Sequence, residues 1–339
     1  MNFARLFSGF GWLSSVYYLC INASFRREQH SVLAGRTEYA RALTAASGSS
    51  ALLRRNIHRL EKGLIMRPRR AVFAEDYIYE TVTALQTNIL TLEVAEREWA
   101  LQVLAQYFDT VEDRGDITKA RSMFALVFKQ NPQPVENHTA VPYLYADLPK
   151  PSINYQDFFL LCQRRRSVRW FLADPVPQLL LEQAAQAAAL APSACNRQPF
   201  KFIQLSGDDA ATAAGFAMGT TGFAAQIPTL LVVLGDLSAY PAERDRHVIY
   251  IDGALASMQL MLSLDTLGLA SCPINWPDVE ALERKMDAFL HLKPWQRPVM
   301  LIAVGYPDPT GGVPFSAKKS VAQLLVPFRS TQIEDKDAD

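Results

Sequence analysis

Residues 164 to 171 read RRRSVRWF, four arginines and a hydroxyl within eight positions. Guanidinium groups hold oxyanions in a planar fork and a serine hydroxyl can add a donor, so Arg165, Arg166, Ser167 and Arg169 suit a phosphate monoester of about −1.5 to −2 charges. A solvated basic helix end interacting with its own macrodipole fits the same letters, and the cluster alone leaves both readings open. Further along, APSACNRQPF at 191 to 200 sets Ser193, Asn196 and Gln198 between Pro192 and Pro199. The prolines end an alanine-rich helix and stiffen a loop able to present polar groups to a planar ligand, although ordinary turn chemistry accounts for the same residues.

The elements that must position these groups divide the chain. Stretches 27–46, 49–64, 73–91, 94–112 and 116–129 repeat apolar residues at three and four, which predicts helices, with Asp116 as a cap. Residues 131–152, rich in proline and without periodicity, read as a linker. Beyond it, helical patterns at 155–166, 177–191 and near 245–267 alternate with apolar runs at 201–206, 229–236, 270–275 and 298–306. Such runs between helices predict a layered α/β or α+β structure with a sheet buried on both faces. The expected divisions are a helical N-terminal domain at 1–130, a linker at 131–152, a sheet-containing domain at 153–328 and a polar tail at 329–339.

The balance of 34 Lys+Arg against 34 Asp+Glu argues against nucleic acid as a partner, because a phosphate backbone is bound through surplus cations. Any anion held here is small and local. Cys20, Cys162, Cys195 and Cys272 are widely spaced and form neither a zinc nor a disulfide pattern, which fits reduced thiols in the cytoplasm. Residues 6–25 carry no charge over the length of a membrane span, yet serine, asparagine and glycine dilute them. They are expected as a helix packed against its own domain, with peripheral membrane contact as the second reading.

The order RRSVR, helix, APSACNRQP, then GLASCPINW at 268–276 and PFSAKKS at 314–320, resembles the FMN-dependent nitroreductase family, in a long form with a helical N-terminal domain. The resemblance covers residues 155 to about 327. It implies an α+β, three-layer fold with a central mixed sheet, an FMN cofactor, NAD(P)H as electron donor, a small-molecule acceptor, and a homodimer with FMN at the subunit interface. By the same resemblance Arg165, Arg166, Ser167 and Arg169 meet the phosphate and ribityl chain, and Lys318 or Lys319 reaches the same phosphate. Pro192, Ser193, Asn196 and Gln198 belong to a loop that comes from the partner subunit. Pro273, Ile274, Asn275 and Trp276 lie beside the ring, with Trp276 expected to narrow the substrate pocket. No protein side chain is expected to be catalytic, since flavin N5 carries the chemistry. A flavin-binding or flavin-free scaffold in a biosynthetic assembly is the alternative on the same fold.

Other signals carry less. Cys195 has no histidine near it in sequence and reads as a packing residue rather than a nucleophile. Asp245, His247 and Asp252 read as the solvated start of a long helix. His58, Glu61 and Lys62 in IHRLEKGLIM share a helical face and read as an ion-pair surface, with Gly63 ending the helix. A similar phrase accompanies long nitroreductase-like domains, some of them in bacterial surface-polysaccharide gene sets, which implies a sugar-linked substrate.

Overall fold

The computed structural model describes residues 7–43, 50–131 and 140–327. The expected polar tail at 329–339 and the linker positions 132–139 lie outside the described residues.

Helix α1, Gly11–Val16, runs into one π-type turn at Tyr17–Ile21. The expectation that this region packs against its own domain is corrected: neither piece buries a residue, and Phe10, Trp12 and Leu19 are 65%, 67% and 67% exposed. Its rings satisfy one another locally instead, Phe7 with Tyr17, Tyr17 with Tyr18 and Tyr18 with Phe25, at centroid separations of 5.6, 5.1 and 4.4 Å.

Helices α2 (Arg26–Ala42), α3 (Ala51–Leu64), α4 (Ile78–Asn88), α5 (Val94–Thr110) and α6 (Asp116–Gln130) follow. The apolar positions of α3 to α6 recur at helical spacing and meet in one core, with Ile57 and Leu60 against Val82, Leu104 and Phe124. Asp116, expected as the cap, is the first helical residue, and Gly115 precedes it at a φ of 48°. Glu61 does not simply face solvent: it pairs with His58 at 3.2 Å and accepts the Trp99 indole N–H at 2.9 Å. Gly63 lies inside α3 rather than after it, and a Cβ there would come within 2.2 Å of the Phe73 ring. Gly63→Ala is therefore expected to cost about 1–3 kcal/mol by overpacking, read as a lower urea midpoint.

Helix α2 packs on the second half of the chain. Val32 joins a core with Leu237, Ala239, Tyr240 and Ile249, and a Cβ on Gly35 would meet the Leu237 backbone at 2.8 Å. Arg27 on the same helix binds Glu283 at 2.8 Å and also Asp287.

The second half begins with α7 (Tyr155–Arg164), capped where Asn154 Oδ1 accepts the Asp157 N–H at 3.0 Å. Then come α8 (Gln178–Ala189), β1 (Phe200–Ser206), α9 (Gly207–Gly215), β2 (Thr229–Asp236), α10 (Val248–Thr266), β3 (Ala270–Asn275), α11 (Glu280–Leu290), β4 (Gln296–Gly305) and the short α12 (Val321–Leu324). The sheet order is β1-β2-β4-β3 with antiparallel pairing throughout, for example Ile203 opposite Val232 and Ile274 opposite Leu301. The parallel component expected of a mixed sheet is an isolated bridge from Ser167 to Ser271.

Alternation along the strands sends Leu230, Val232 and Leu301 to one face, against α9 and α11, and Leu231, Val233 and Ile302 to the other, against α8 and α10. Both faces are covered, so the strands read as continuous apolar runs. The result is the expected α+β three-layer unit, preceded by helices.

Candidate functional site

Helix α7 ends at Arg164, and Arg165 turns out of it with ψ 119° while its N–H still donates to Leu161 O. The chain then lies along β3 and the end of β4: the Val168 N–H donates to Ser271 O at 3.1 Å and the Leu172 N–H to Tyr306 O at 2.9 Å. This edge pairing holds Arg165, Arg166, Ser167 and Arg169 half-buried beside the start of β3. Arg164 is diverted to Asp265 at 3.0 Å.

A cleft of about 420 Å³ opens here, lined by Arg165, Arg166, Ser271 and, from the C-terminal tail, Phe315. Two buried donors of its lining residues, Arg165 Nε and Ser271 Oγ, have no hydrogen-bond partner among the described residues. A polar atom buried without a partner costs free energy, and here two of them lie beside clustered arginines, with Asp265 as the one carboxylate among the cleft's lining residues. Burial pushes the neighbouring Cys272 thiol up, while the charges of Arg169 and Arg165 act in the opposite direction. Ser271 was not singled out from the sequence, although it stands within GLASCPINW.

At the other end of β3, Asn275 is exposed and Ile274 is buried. About 13 Å of strand separates Ser271 from Asn275. Trp276 is corrected: its indole is 7% exposed, packs in the core with Ile274 and Met286, and donates to Glu283 Oε1, so it does not narrow a pocket.

The loop after α8 is tightly held. Asp252 Oδ2, on α10, accepts from Ser193 Oγ at 2.7 Å and from the Ala194 N–H at 3.0 Å, and the Gln198 N–H donates to Ser193 Oγ at 2.8 Å. Asp252 is 2% exposed, which corrects its reading as part of a solvated helix start. The available signal is a carboxylate flanked by the apolar residues Ile249, Ile251, Ala254 and Leu255 of α10. Gln198 spends its amide on Ala189 O and on Arg54, at 2.7 and 3.0 Å, while Pro192 is exposed.

No residue from 192 to 198 lines the arginine cleft, so one protomer keeps the two groups apart. Lys318 and Lys319 are exposed on the tail just beyond Phe315.

The sequence matches the nitroreductase family model over residues 162–306. An NADH dehydrogenase of Thermus thermophilus is 30% identical over 182 residues, 44% of this chain and 85% of that protein. Iodotyrosine deiodinase 1 of Mus musculus is 21% identical over 220 residues, 55% of this chain and 75% of the relative. A solved nitroreductase family protein from Streptococcus pneumoniae aligns at a TM-score of 0.43 with 22% identity, over 51% of this chain and all of its own length. The family match starts two residues before the arginine cluster and runs through the end of β4, and most of a 30%-identical relative is spanned. On that ground the chain belongs to the nitroreductase family of oxidoreductases.

Proposed function

We propose that this protein binds FMN and moves a hydride from NAD(P)H, through flavin N5, to an organic acceptor. The observation that carries the reading is the cleft beside β3, where the partnerless Arg165 Nε and Ser271 Oγ sit among half-buried arginines. That donor set fits the phosphate of a mononucleotide: Arg165, Arg166 and Arg169 supply charge, Ser167 and Ser271 supply hydroxyls, and Lys318 or Lys319 adds a cation from the tail. Pro273, Ile274, Asn275 and the Trp276 backbone would border the ring at the far end of β3. When bound, the flavin supplies the redox chemistry, so the chain needs no acid or base of its own. Its own task is to bind, to orient and, through Arg166 or Arg169, to balance negative charge.

A homodimer completes the arrangement by bringing the partner's loop of Pro192, Ser193, Asn196 and Gln198 to the flavin. Helix α10 supports it. By length and composition the segment Glu243–Thr266 could cross a membrane, yet Ala256, Leu260 and Leu264 pack on the sheet. The opposite stripe of Ile251, Leu255 and Met258 is 56%, 43% and 38% exposed in one protomer, an apolar surface suited to a second copy. All four cysteines are free, which fits a reducing, cytoplasmic setting.

No acceptor is assigned. A sugar-linked acceptor rests on the phrase IHRLEKGLIM alone, in which Glu61 meets Trp99 and Gly63 meets Phe73 while Ile65 and Met66 are exposed. The purified protein is expected to show a flavin absorption band that bleaches when NADH or NADPH is added without oxygen. A colourless preparation that ignores added FMN would replace the enzyme by a scaffold on the same fold.

A further inference from the structure

The loop from Ser193 to Gln198 is held against its backbone preferences. Cys195, Asn196 and Gln198 have φ of 53°, 50° and 49°, in the left-handed region that residues with a Cβ seldom enter. Such conformations persist only where the surroundings over-determine them. Asp252 and the Ser193 hydroxyl fix the first half of the loop from within the sheet-containing half. The second half is fixed from elsewhere: Arg54 of α3 donates through Nε to Asn196 O at 2.9 Å and through Nη2 to Gln198 Oε1 at 3.0 Å. Both left-handed residues that follow Cys195 thus carry a bond to one guanidinium.

Arg54 is itself pre-set. Its side chain is 17% exposed, Glu96 of α5 lies 3.3 Å from Nη1, and the guanidinium stands 5.4 Å from the Trp99 ring centroid. Arginine suits the task because its planar fork presents several donors in fixed directions, where a lysine ammonium is a single point charge. The helical half of the chain therefore reaches the loop through a rigid, charge-balanced group.

We propose that Arg54 is a positioning residue for the flavin loop, so that the helical N-terminal region sets how well the chain holds FMN without touching it. This rests on the reading that loop 192–198 borders FMN. Groups that orient a binding shell commonly change affinity by about tenfold or more when removed.

The test uses the full-length protein, titrated with FMN by fluorescence quenching, with the visible absorption band recorded on the complex. Arg54→Met is expected to raise the FMN Kd by about tenfold and to alter the band shape, as a displaced loop changes the ring environment. Arg54→Lys keeps the charge beside Glu96 but cannot span both acceptors, and is expected to fall between wild type and Arg54→Met. It carries the test if Arg54→Met does not fold. Gly63→Ala loosens the same helical body away from the loop and is expected to keep wild-type FMN affinity and spectrum. Wild-type Kd and band shape in the Arg54 variants, or an equal loss in Gly63→Ala, overturns the proposal. Wild-type protein that takes up no FMN overturns the flavin reading itself.

Discussion

Arg165→Ala is expected to weaken FMN binding by about ten- to a hundredfold while leaving the fold intact, since one charge-assisted bond is worth about 1.5–3 kcal/mol. The asymmetry follows from the partnerless state of Arg165 Nε, which makes no protein hydrogen bond for the substitution to break. Arg169→Ala is expected to behave alike, because Arg169 follows Val168, whose N–H bonds Ser271 O on β3, and makes only a long 3.4 Å bond, from Nη1 to Ser167 O. Arg164→Ala serves as the contrast: its guanidinium is turned to Asp265 and its side chain is 66% exposed, so FMN affinity is expected to change little. Flavin titration beside a thermal melt separates binding from stability. Stoichiometric flavin retained by both Arg165→Ala and Arg169→Ala would remove these side chains from the phosphate site.

The largest loss of stability is expected from Glu283→Ala. Glu283 is fully buried on α11, accepts from the Trp276 indole and from Arg27 Nε at 2.8 Å, and lies 3.2 Å from Arg297 Nε as an ion pair. Arg297 is 1% exposed, with Asp278 at 2.9 Å as its other carboxylate. Deleting the shared carboxylate leaves the buried Arg297 guanidinium with Asp278 alone and the buried Trp276 indole N–H without its acceptor. Breaking a buried pair by removing one partner typically costs about 3–5 kcal/mol. The double change Glu283→Leu with Arg297→Met removes both charges and is expected to cost less than Glu283→Ala, because no lone ion is left inside. Urea denaturation followed by circular dichroism decides it. An unchanged midpoint in Glu283→Ala would mean the cluster adds nothing to the fold.

The parts of this protein that were legible in sequence are those with a local signature. Leu53, Ile57, Leu60 and Leu64 announce a helix face by spacing alone, and TLLVVLGD announces a strand covered on both sides. The arginine cluster, the proline-bounded loop and β3 were found because their order along the chain is itself informative. What stayed hidden depends on distant partners. Nothing beside Arg54 in the sequence says that it meets Asn196, and nothing beside Asp252 says that it holds Ser193. The resemblance sets Trp276 beside the ring with Pro273, Ile274 and Asn275, yet Glu283 draws its indole inward. The exposed α1 misled in the opposite direction, since an uncharged stretch carries no instruction about which surface, if any, it will cover.

The seam made by α2 has a consequence for how the gene can be divided. Val32, Gly35 and Arg27 belong to the opening residues yet lean on Leu237, Ile249 and Glu283 near the close. A truncated version starting near residue 153 would present a bare greasy strip, and Asp287 and Glu283 would lose the arginine that had bridged them. Recombination that swapped one half for a foreign counterpart would have to carry a matching strap along with it.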